Sequence, residues 1–394
     1  MRLRISATAL AFLTLRLSTC SPATQGDYPL DVSDRYIVTL KPGTEIPEHI
    51  HHVESLLAHQ GVERDDGKSF AGVTHEYHIS DFRGYAGHFD RRTADLLRQH
   101  DNVTAVEPDK VWTLSSVITQ SKVPYGLSLI SHRQANKPDY AYDSSAGGGT
   151  WAYVVDSGIN VQHGEFEGRA SNGYNAVRGE PPTDSFGHGT HVAALIGGKT
   201  YGVAKKTHLI GVEIFKGQKT TYAIALDGLQ WAVNDILKTN RAAKAVINMS
   251  ADGVGDKAIN AAVREAIKRG ISVVVSGGIR GAPTSWPSDA IVVAPTNQRR
   301  VSWDRADKST RITLWAPGVD IRSAWIGSSA ASRTMSGPSQ AAGYVAGLVV
   351  YLKAMRRLPD PASTKQSLIM LALRNVVGNP GEAQNLFAYN GSGR

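Results

Sequence analysis

Apolar and polar positions fall into two different patterns along the chain. Between about Asp34 and Trp112 the runs are short: Tyr36 to Leu40, Tyr77 to Ile79, Tyr85 to Phe89 and Val103 to Val106 read as strands. Two stretches have helical spacing instead. His49 to His59 places Val53, Leu56 and Leu57 on one face, and Asp90 to His100 does the same with Ala94, Leu96 and Leu97. The order strand, helix, strand, strand, helix, strand predicts a small ferredoxin-like α+β domain, the split βαβ unit. From about Val123 to Arg394 the strands are apolar at consecutive positions, as in Ala152 to Val155, Val246 to Met249, Ile271 to Val275 and Ile291 to Ala294. Helical segments at Tyr222 to Leu237, Lys257 to Lys268 and Ser339 to Met355 lie among them. Strands apolar on both faces and alternating with helices predict an α/β domain, a doubly wound, mostly parallel sheet covered on both sides. Ser115 to Lys122 is polar and irregular, so residues 113–122 read as a linker between the units.

The first residues follow neither pattern. Arg2 and Arg4 precede an apolar stretch from Ile5 to Leu15, then small residues around Ser18, Cys20 and Ala23. This predicts a secretory signal peptide over residues 1–20 and a secreted, extracellular product. Arg16 interrupts the stretch, which is too short to span a bilayer, and no later run is long enough, so no membrane association is expected after signal removal.

Composition narrows the chemistry. With 41% hydrophobic and 20% charged residues over 394 positions, the chain can bury a core and is not disordered. The net charge of +8 comes without a basic run, so no nucleic-acid partner is expected. Cys20 is the only cysteine, which leaves the body of the chain without a disulfide or a thiolate metal cluster. Catalysis would have to use oxygen and nitrogen groups, with no cofactor, and a monomer is expected.

Three such groups stand at strand ends or helix starts of the second domain. Asp156 closes an apolar strand and precedes Ser157-Gly158, a turn expected to expose the carboxylate at the sheet's carboxyl edge. His188 lies between Gly187 and Gly189, before a helix. Ser339 follows Gly337-Pro338 and begins another helix, where free N–H groups and the helix dipole favour developing negative charge. Singly these are a turn residue, a structural histidine and an N-cap. Together, Asp, His and Ser in this chain order match one of the unrelated orders in which the same triad is built.

The wider motifs carry a resemblance. Tyr153-Val154-Val155-Asp156-Ser157-Gly158-Ile159-Asn160, Glu165 to Ala170, Gly187 to Ala193, Thr200 to Lys206, Ile247 to Ser250, Ser323 to Gly327 and Leu386 to Gly391 resemble a subtilisin-family serine protease of the proteinase K branch, in particular the fungal alkaline proteases of the oryzin type. Residues 34–112 resemble the inhibitory propeptide of that family, which would leave 123–394 as the peptidase domain. The resemblance implies a zymogen whose propeptide is an intramolecular inhibitor, cut off near Trp112 to Thr119, and whose substrates are polypeptides. Ser339 would be the nucleophile, His188 the general base and then acid, and Asp156 the group that orients His188. His191 is expected to be structural.

Several positions depart from the family pattern. Around the nucleophile, Gly-Thr-Ser-Met-Ala-x-Pro-His is replaced by Gly337-Pro338-Ser339-Gln340-Ala341-Ala342-Gly343-Tyr344. The Ser339 N–H, one oxyanion donor, survives. The asparagine whose side chain completes the oxyanion hole falls on Ile279, or on Gly278 with a shift of one residue, and neither offers a side-chain donor. The substrate-lining Ser-Leu-Gly-Gly reads Ser250-Ala251-Asp252-Gly253, placing a carboxylate where a basic substrate residue would be favoured. The aspartate of a family calcium site aligns near Thr313, so no metal is expected there. The propeptide region holds His49, His51, His52, His59, His75, His78, His88 and His100, eight of the chain's 13 histidines, through which acid could loosen the inhibitor. Asn102 and Asn390 begin glycosylation acceptor triplets, and Asn248 begins a third that should be buried.

Two functions are therefore expected: a weakened serine endopeptidase, or a pseudoprotease that keeps the fold and binds peptides or stays capped by its propeptide.

Overall fold

The computed structural model describes residues 32–60, 72–109, 116–177, 179, 182–250, 257–280, 282–283 and 285–394. The expected signal peptide at residues 1–20, the first residues of the expected linker, and Ala251, Asp252 and Gly253 lie outside them. The chain divides into two compact units, Met1–Leu114 and Ser115–Arg394.

The N-terminal unit runs β1 (Arg35–Leu40), α1 (Ile46–Gln60), β2 (Gly72–Ile79), β3 (Phe82–His88), α2 (Arg91–Arg98) and β4 (Val103–Pro108). Its antiparallel sheet has the order β2-β3-β1-β4, the split βαβ arrangement. Asp90 starts α2 by accepting a 2.6 Å hydrogen bond from the Thr93 N–H. Val53 of α1 and Ala94 and Leu97 of α2 pack with Val38, Tyr85 and Phe89 in one apolar core. β2 starts five residues before the apolar triplet at Tyr77, because it is an edge strand whose Thr74, His75 and Glu76 face solvent. Most of the described histidines of this unit are at least partly exposed, but His49 is buried, its ring centroid 4.6 Å from that of His100. Burial first, then the neighbouring His100 and His52, lowers its pKa to about 4.

The second unit opens with β5 (Val117–Ser121), α3 (Tyr125–Ser131), β6 (Asp139–Asp143), β7 (Trp151–Asp156), β8 (Ala170–Asn175), α4 (His188–Gly197), β9 (His208–Glu213), α5 (Tyr222–Lys238), β10 (Ala245–Met249), α6 (Lys257–Lys268) and β11 (Ser272–Ser276). It continues through β12 (Gly278–Ile279), β13 (Ala282–Pro283), β14 (Ile291–Thr296), β15 (Leu314–Pro317), β16 (Ile321–Ala324), β17 (Ser332–Met335), α7 (Pro338–Met355), α8 (Pro361–Leu371), β18 (Leu373–Arg374) and β19 (Leu386–Phe387). Nine strands form the central sheet in the order β18-β19-β15-β14-β11-β10-β7-β9-β8, parallel throughout except for the short β18 at one edge. Alternate residues of one strand enter opposite cores. Ala152 and Val154 of β7 pack with α4 and α7, while Tyr153 and Val155 pack with α5 and α6. From β7 the chain crosses to the edge as β8, comes back as β9 between β8 and β7, and then passes to β10 on the other flank of β7. This places a topological switch point at the carboxyl ends of β7 and β10.

Two expectations are corrected here. Residues Val117–Ser121 are not irregular: they pair antiparallel with β6, from Val117 opposite Asp143 to Ser121 opposite Asp139. Every residue of this strand is exposed or half-buried, so its polarity reflects a solvated two-stranded ribbon, not a lack of structure. Asn390 is 2% exposed, and its Nδ2 donates to the Ala141 carbonyl at 2.7 Å, so in the folded protein this acceptor is closed to glycosylation. Asn248 is fully buried, as expected, and Asn102 is exposed. Among the described residues no helix is long and apolar enough to cross a membrane.

Candidate active site

Asp156 is the last residue of β7, and β-strand geometry delivers it to the carboxyl edge of the sheet. It is not exposed as the turn had implied, being only 1% accessible. Its Oδ1 accepts from the Ser157 N–H at 2.7 Å, and both carboxylate oxygens face Nδ1 of His188, at 2.8 and 2.9 Å. A carboxylate can only accept, so Nδ1 carries the proton and Nε2 of His188 is left as the basic atom.

His188 starts α4 after a glycine that no other residue replaces easily. Gly187 has φ near +102°, and a Cβ there would stand 2.6 Å from the Trp325 ring. The next glycine, Gly189, brings the helix backbone against the Gly158 carbonyl, closer than any Cβ permits. Sequence reasoning missed the residue that joins these two segments. Asp184 is 5% exposed and accepts five hydrogen bonds: from Ser157 Oγ (2.8 Å), the N–H groups of Phe186 (3.1 Å), Gly187 (2.7 Å) and Thr190 (2.9 Å), and Thr190 Oγ1 (2.6 Å). Ser157 Oγ in turn accepts from the Gly189 N–H at 2.9 Å. The turn after Asp156 and the start of the His188 helix are thus fixed to one carboxylate. The available signal was an acidic residue four positions before the histidine, at a helix start.

His191 lies three residues along α4 and is fully buried. Its Nε2 lies 3.1 Å from the Ile321 carbonyl and 3.2 Å from that of Arg333, which ties α4 to the β16–β17 hairpin. Burial, and then the proximity of His188, lowers its pKa to about 4, so it is neutral at pH 7.

Ser339 enters from α7. Pro338 occupies the first helical position, where its missing N–H and fixed φ suit the start of a helix. Ser339 is 6% exposed, and its hydroxyl donates to the Ser250 carbonyl at 3.2 Å. As the second residue of α7 it keeps an N–H with no intrahelical acceptor. Asp156, His188, Ser250 and Ser339 line one cleft of about 240 Å³, together with Ser157, Phe186, Phe215, Gly217 and Gln218. The three candidate catalytic residues therefore share one cavity at the switch point. Gly278 and Ile279 are not among the residues that line it. They form a short hairpin with Ala282 and Pro283, and Ile279 also bridges to Ala306.

The arrangement belongs to a known family. A model of the Subtilase family matches residues 147–390, and a model of Peptidase inhibitor I9 matches residues 35–115. The chain belongs to the subtilase family. Among relatives, Alkaline protease 1 of Aspergillus clavatus is 42% identical over 372 residues, covering 92% of both chains. Alkaline protease 1 of Aspergillus oryzae is 43% identical over 373 residues and 91% of each. A solved structure of a cold adapted subtilisin-like serine proteinase matches with a TM-score of 0.63 at 30% identity, over 68% of this chain and 99% of the other. This subtilase is a serine endopeptidase with an I9 inhibitor domain ahead of it. Thr313, near which the resemblance places the aspartate of a family calcium site, has a neutral side chain whose Oγ1 accepts from the Val292 N–H at 3.2 Å.

Proposed function

We propose that the chain is a secreted zymogen whose mature form hydrolyses peptide bonds through an acyl-enzyme, with Ser339 as nucleophile, His188 as base and then acid, and Asp156 as the orienting carboxylate. The observation that carries this reading is the Asp156–His188 pair at 2.8 Å, in the same cleft as Ser339. With Nδ1 committed to Asp156, His188 offers Nε2 toward substrate and serine. The Ser339 hydroxyl leaves the Ser250 carbonyl, gives its proton to Nε2, and Oγ bonds to the scissile carbonyl carbon. The C=O π pair moves to oxygen, where the Ser339 N–H and the α7 dipole oppose the new charge. Collapse expels the amine, which takes the proton from His188, and water repeats the sequence on the acyl-enzyme.

Maturation fits the same scheme. β5 is hydrogen-bonded to β6 from Val117 onward, so a cut between Trp112 and Ser116 releases the inhibitor and leaves that ribbon whole. Secretion follows from the leader pattern of residues 1–20.

The test uses secreted protein. A mature N-terminus near residues 113–117 in the native chain but not in Ser339→Ala, together with fluorophosphonate labelling that maps to Ser339, supports the proposal. Full-length pro-protein in both, with no labelling, sinks it and favours a pseudoprotease, the reading suggested by the absence of Gly278 and Ile279 from the cleft lining.

A further inference from the structure

A lysine of α8 ends on backbone oxygens instead of in open solvent. Lys365 is half-buried, and its Nζ donates to the carbonyls of Ser288 at 2.6 Å and Ala290 at 2.9 Å. Both oxygens belong to one turn, closed by the Ala290 N–H donating to the Pro287 carbonyl at 3.0 Å, and that turn leads directly into β14 of the central sheet. Two carbonyl dipoles that converge on one point repel each other unless a cation stands there, and backbone oxygens are hard donors of the kind that hold such ions. Burial lowers the pKa of Lys365 and Asp289 opposes that shift, so a carboxylate lies close enough to favour the charged ammonium. Ser288, Arg311, Thr313 and Lys365 line a cavity of about 320 Å³, and no aspartate or glutamate is among the described residues that line it.

The donor set fits one kind of cation and not another. A calcium ion takes six to eight oxygens, carboxylates among them. This cavity offers two carbonyls that Lys365 already holds and a Thr313 hydroxyl that accepts from the Val292 N–H, and the Arg311 guanidinium repels a further cation. The residues present therefore do not fit calcium at the place near which the resemblance sets it. An ammonium asks for less: it brings a single charge and three N–H donors on a stem that can lie along apolar surface. We propose that Lys365 is the resident cation of this cavity. Its ammonium clamps α8 to the turn at the head of β14 and supplies from within the chain the charge that a bound metal ion would supply there. The inference is independent of the assignment of Ser339 as nucleophile.

The test follows thermal unfolding of the secreted full chain by tryptophan fluorescence, which reports the C-terminal unit, where most of the tryptophans lie. All variants carry Ser339→Ala, so that no self-cleavage intrudes. Lys365→Met keeps the stem but removes the charge and the donors, and should lower Tm by about 3–6 °C. Lys365→Arg, which keeps both, should lose less than half as much. Lys365→Met combined with Thr313→Asp frees the two carbonyls and adds a carboxylate. Its gain in Tm between a chelator and about 10 mM calcium chloride should exceed that of the parent by about 3 °C or more. A Lys365→Met Tm within about 1 °C of the parent overturns the inference, because the ammonium then holds nothing. A Lys365→Arg Tm no higher than that of Lys365→Met overturns it too, since packing and not charge would be at work. Equal calcium gains in the parent and the double variant also overturn it, because the carbonyls would then form no seat for a cation.

Discussion

The two halves of the cleft differ in how their polar groups are matched. On the acid–base side, Asp156, Ser157, Asp184, Gly189 and Thr190 form a closed set in which each carboxylate oxygen and each exposed N–H has a partner at 2.6 to 3.1 Å. On the nucleophile side, the amide nitrogens of Gln340 and Asn248 are buried without acceptors, and the Ser339 hydroxyl rests on a backbone carbonyl. One half is set before substrate arrives, and in the other the Ser339 N–H keeps no intrahelical acceptor. A fixed base needs a fixed proton position, whereas a charge that appears briefly needs donors that are otherwise idle.

The largest expected effects come from removing the centre of either half. Ser339→Ala should lower turnover by about 10⁶, and Asp156→Asn by about 10⁴, because the amide no longer holds the useful tautomer of His188. Single-turnover rates on a peptide amide check both. An Asp156→Asn rate within about tenfold of native would mean that the closed hydrogen-bond set is not what positions the base.

Asp184 separates the halves next. Asp184→Ala strands five donors beside His188 and should destabilise the C-terminal unit by on the order of 3 kcal/mol. Urea unfolding of the mature form measures the stability. Turnover should fall further than fluorophosphonate labelling of Ser339, since Asp184 holds the Ser157 turn and the start of α4 and, among the described residues, makes no hydrogen bond to α7. Equal losses of labelling and turnover would show that the two halves are one cooperative structure.

Legibility in the sequence followed the same division. The apolar runs at Ala152 to Val155 and Val246 to Met249 were readable because a strand buried on both faces leaves no other pattern, and Asp156 and His188 sit in glycine-flanked motifs that admit few alternatives. The strand at Val117–Ser121 and the early start of β2 were not readable, since a strand whose consecutive residues are exposed has no alternation and looks like a loop. Asp184 escaped notice because its role comes from five partners that meet only in the fold. Gln340 was visible as a departure from the family motif, but only its burial shows a donor without an acceptor.

Restoring the family residue on the weaker side should produce a smaller change. Ile279→Asn is expected to raise kcat by about 10- to 100-fold if the hairpin can present the new amide to the oxyanion. Steady-state kinetics on the same amide substrate give the answer. An unchanged kcat would place the missing donor elsewhere than at residue 279.

Acid provides the finest distinction, because the unmatched groups of the nucleophile side are amides that do not titrate, whereas the acid–base side contains His191. In the folded protein its pKa is lowered from 6.5 to about 4, by burial first and by His188 second, with the Ile321 and Arg333 carbonyls and Asp156 acting in the opposite sense. The folded state therefore holds this ring neutral, while the unfolded chain takes up a proton below about pH 6.5. The stability due to the neutral ring is complete above that pH and is lost as pH falls toward 4, by roughly 1 to 2 kcal/mol between pH 7 and 5. His191→Gln cannot charge but can still donate to one of the two carbonyls, so its stability should decline less over the same interval. Thermal unfolding of the mature native and variant proteins at the two pH values isolates the contribution as the difference between their slopes. Parallel slopes would show that the acid–base half carries no buried titrating histidine.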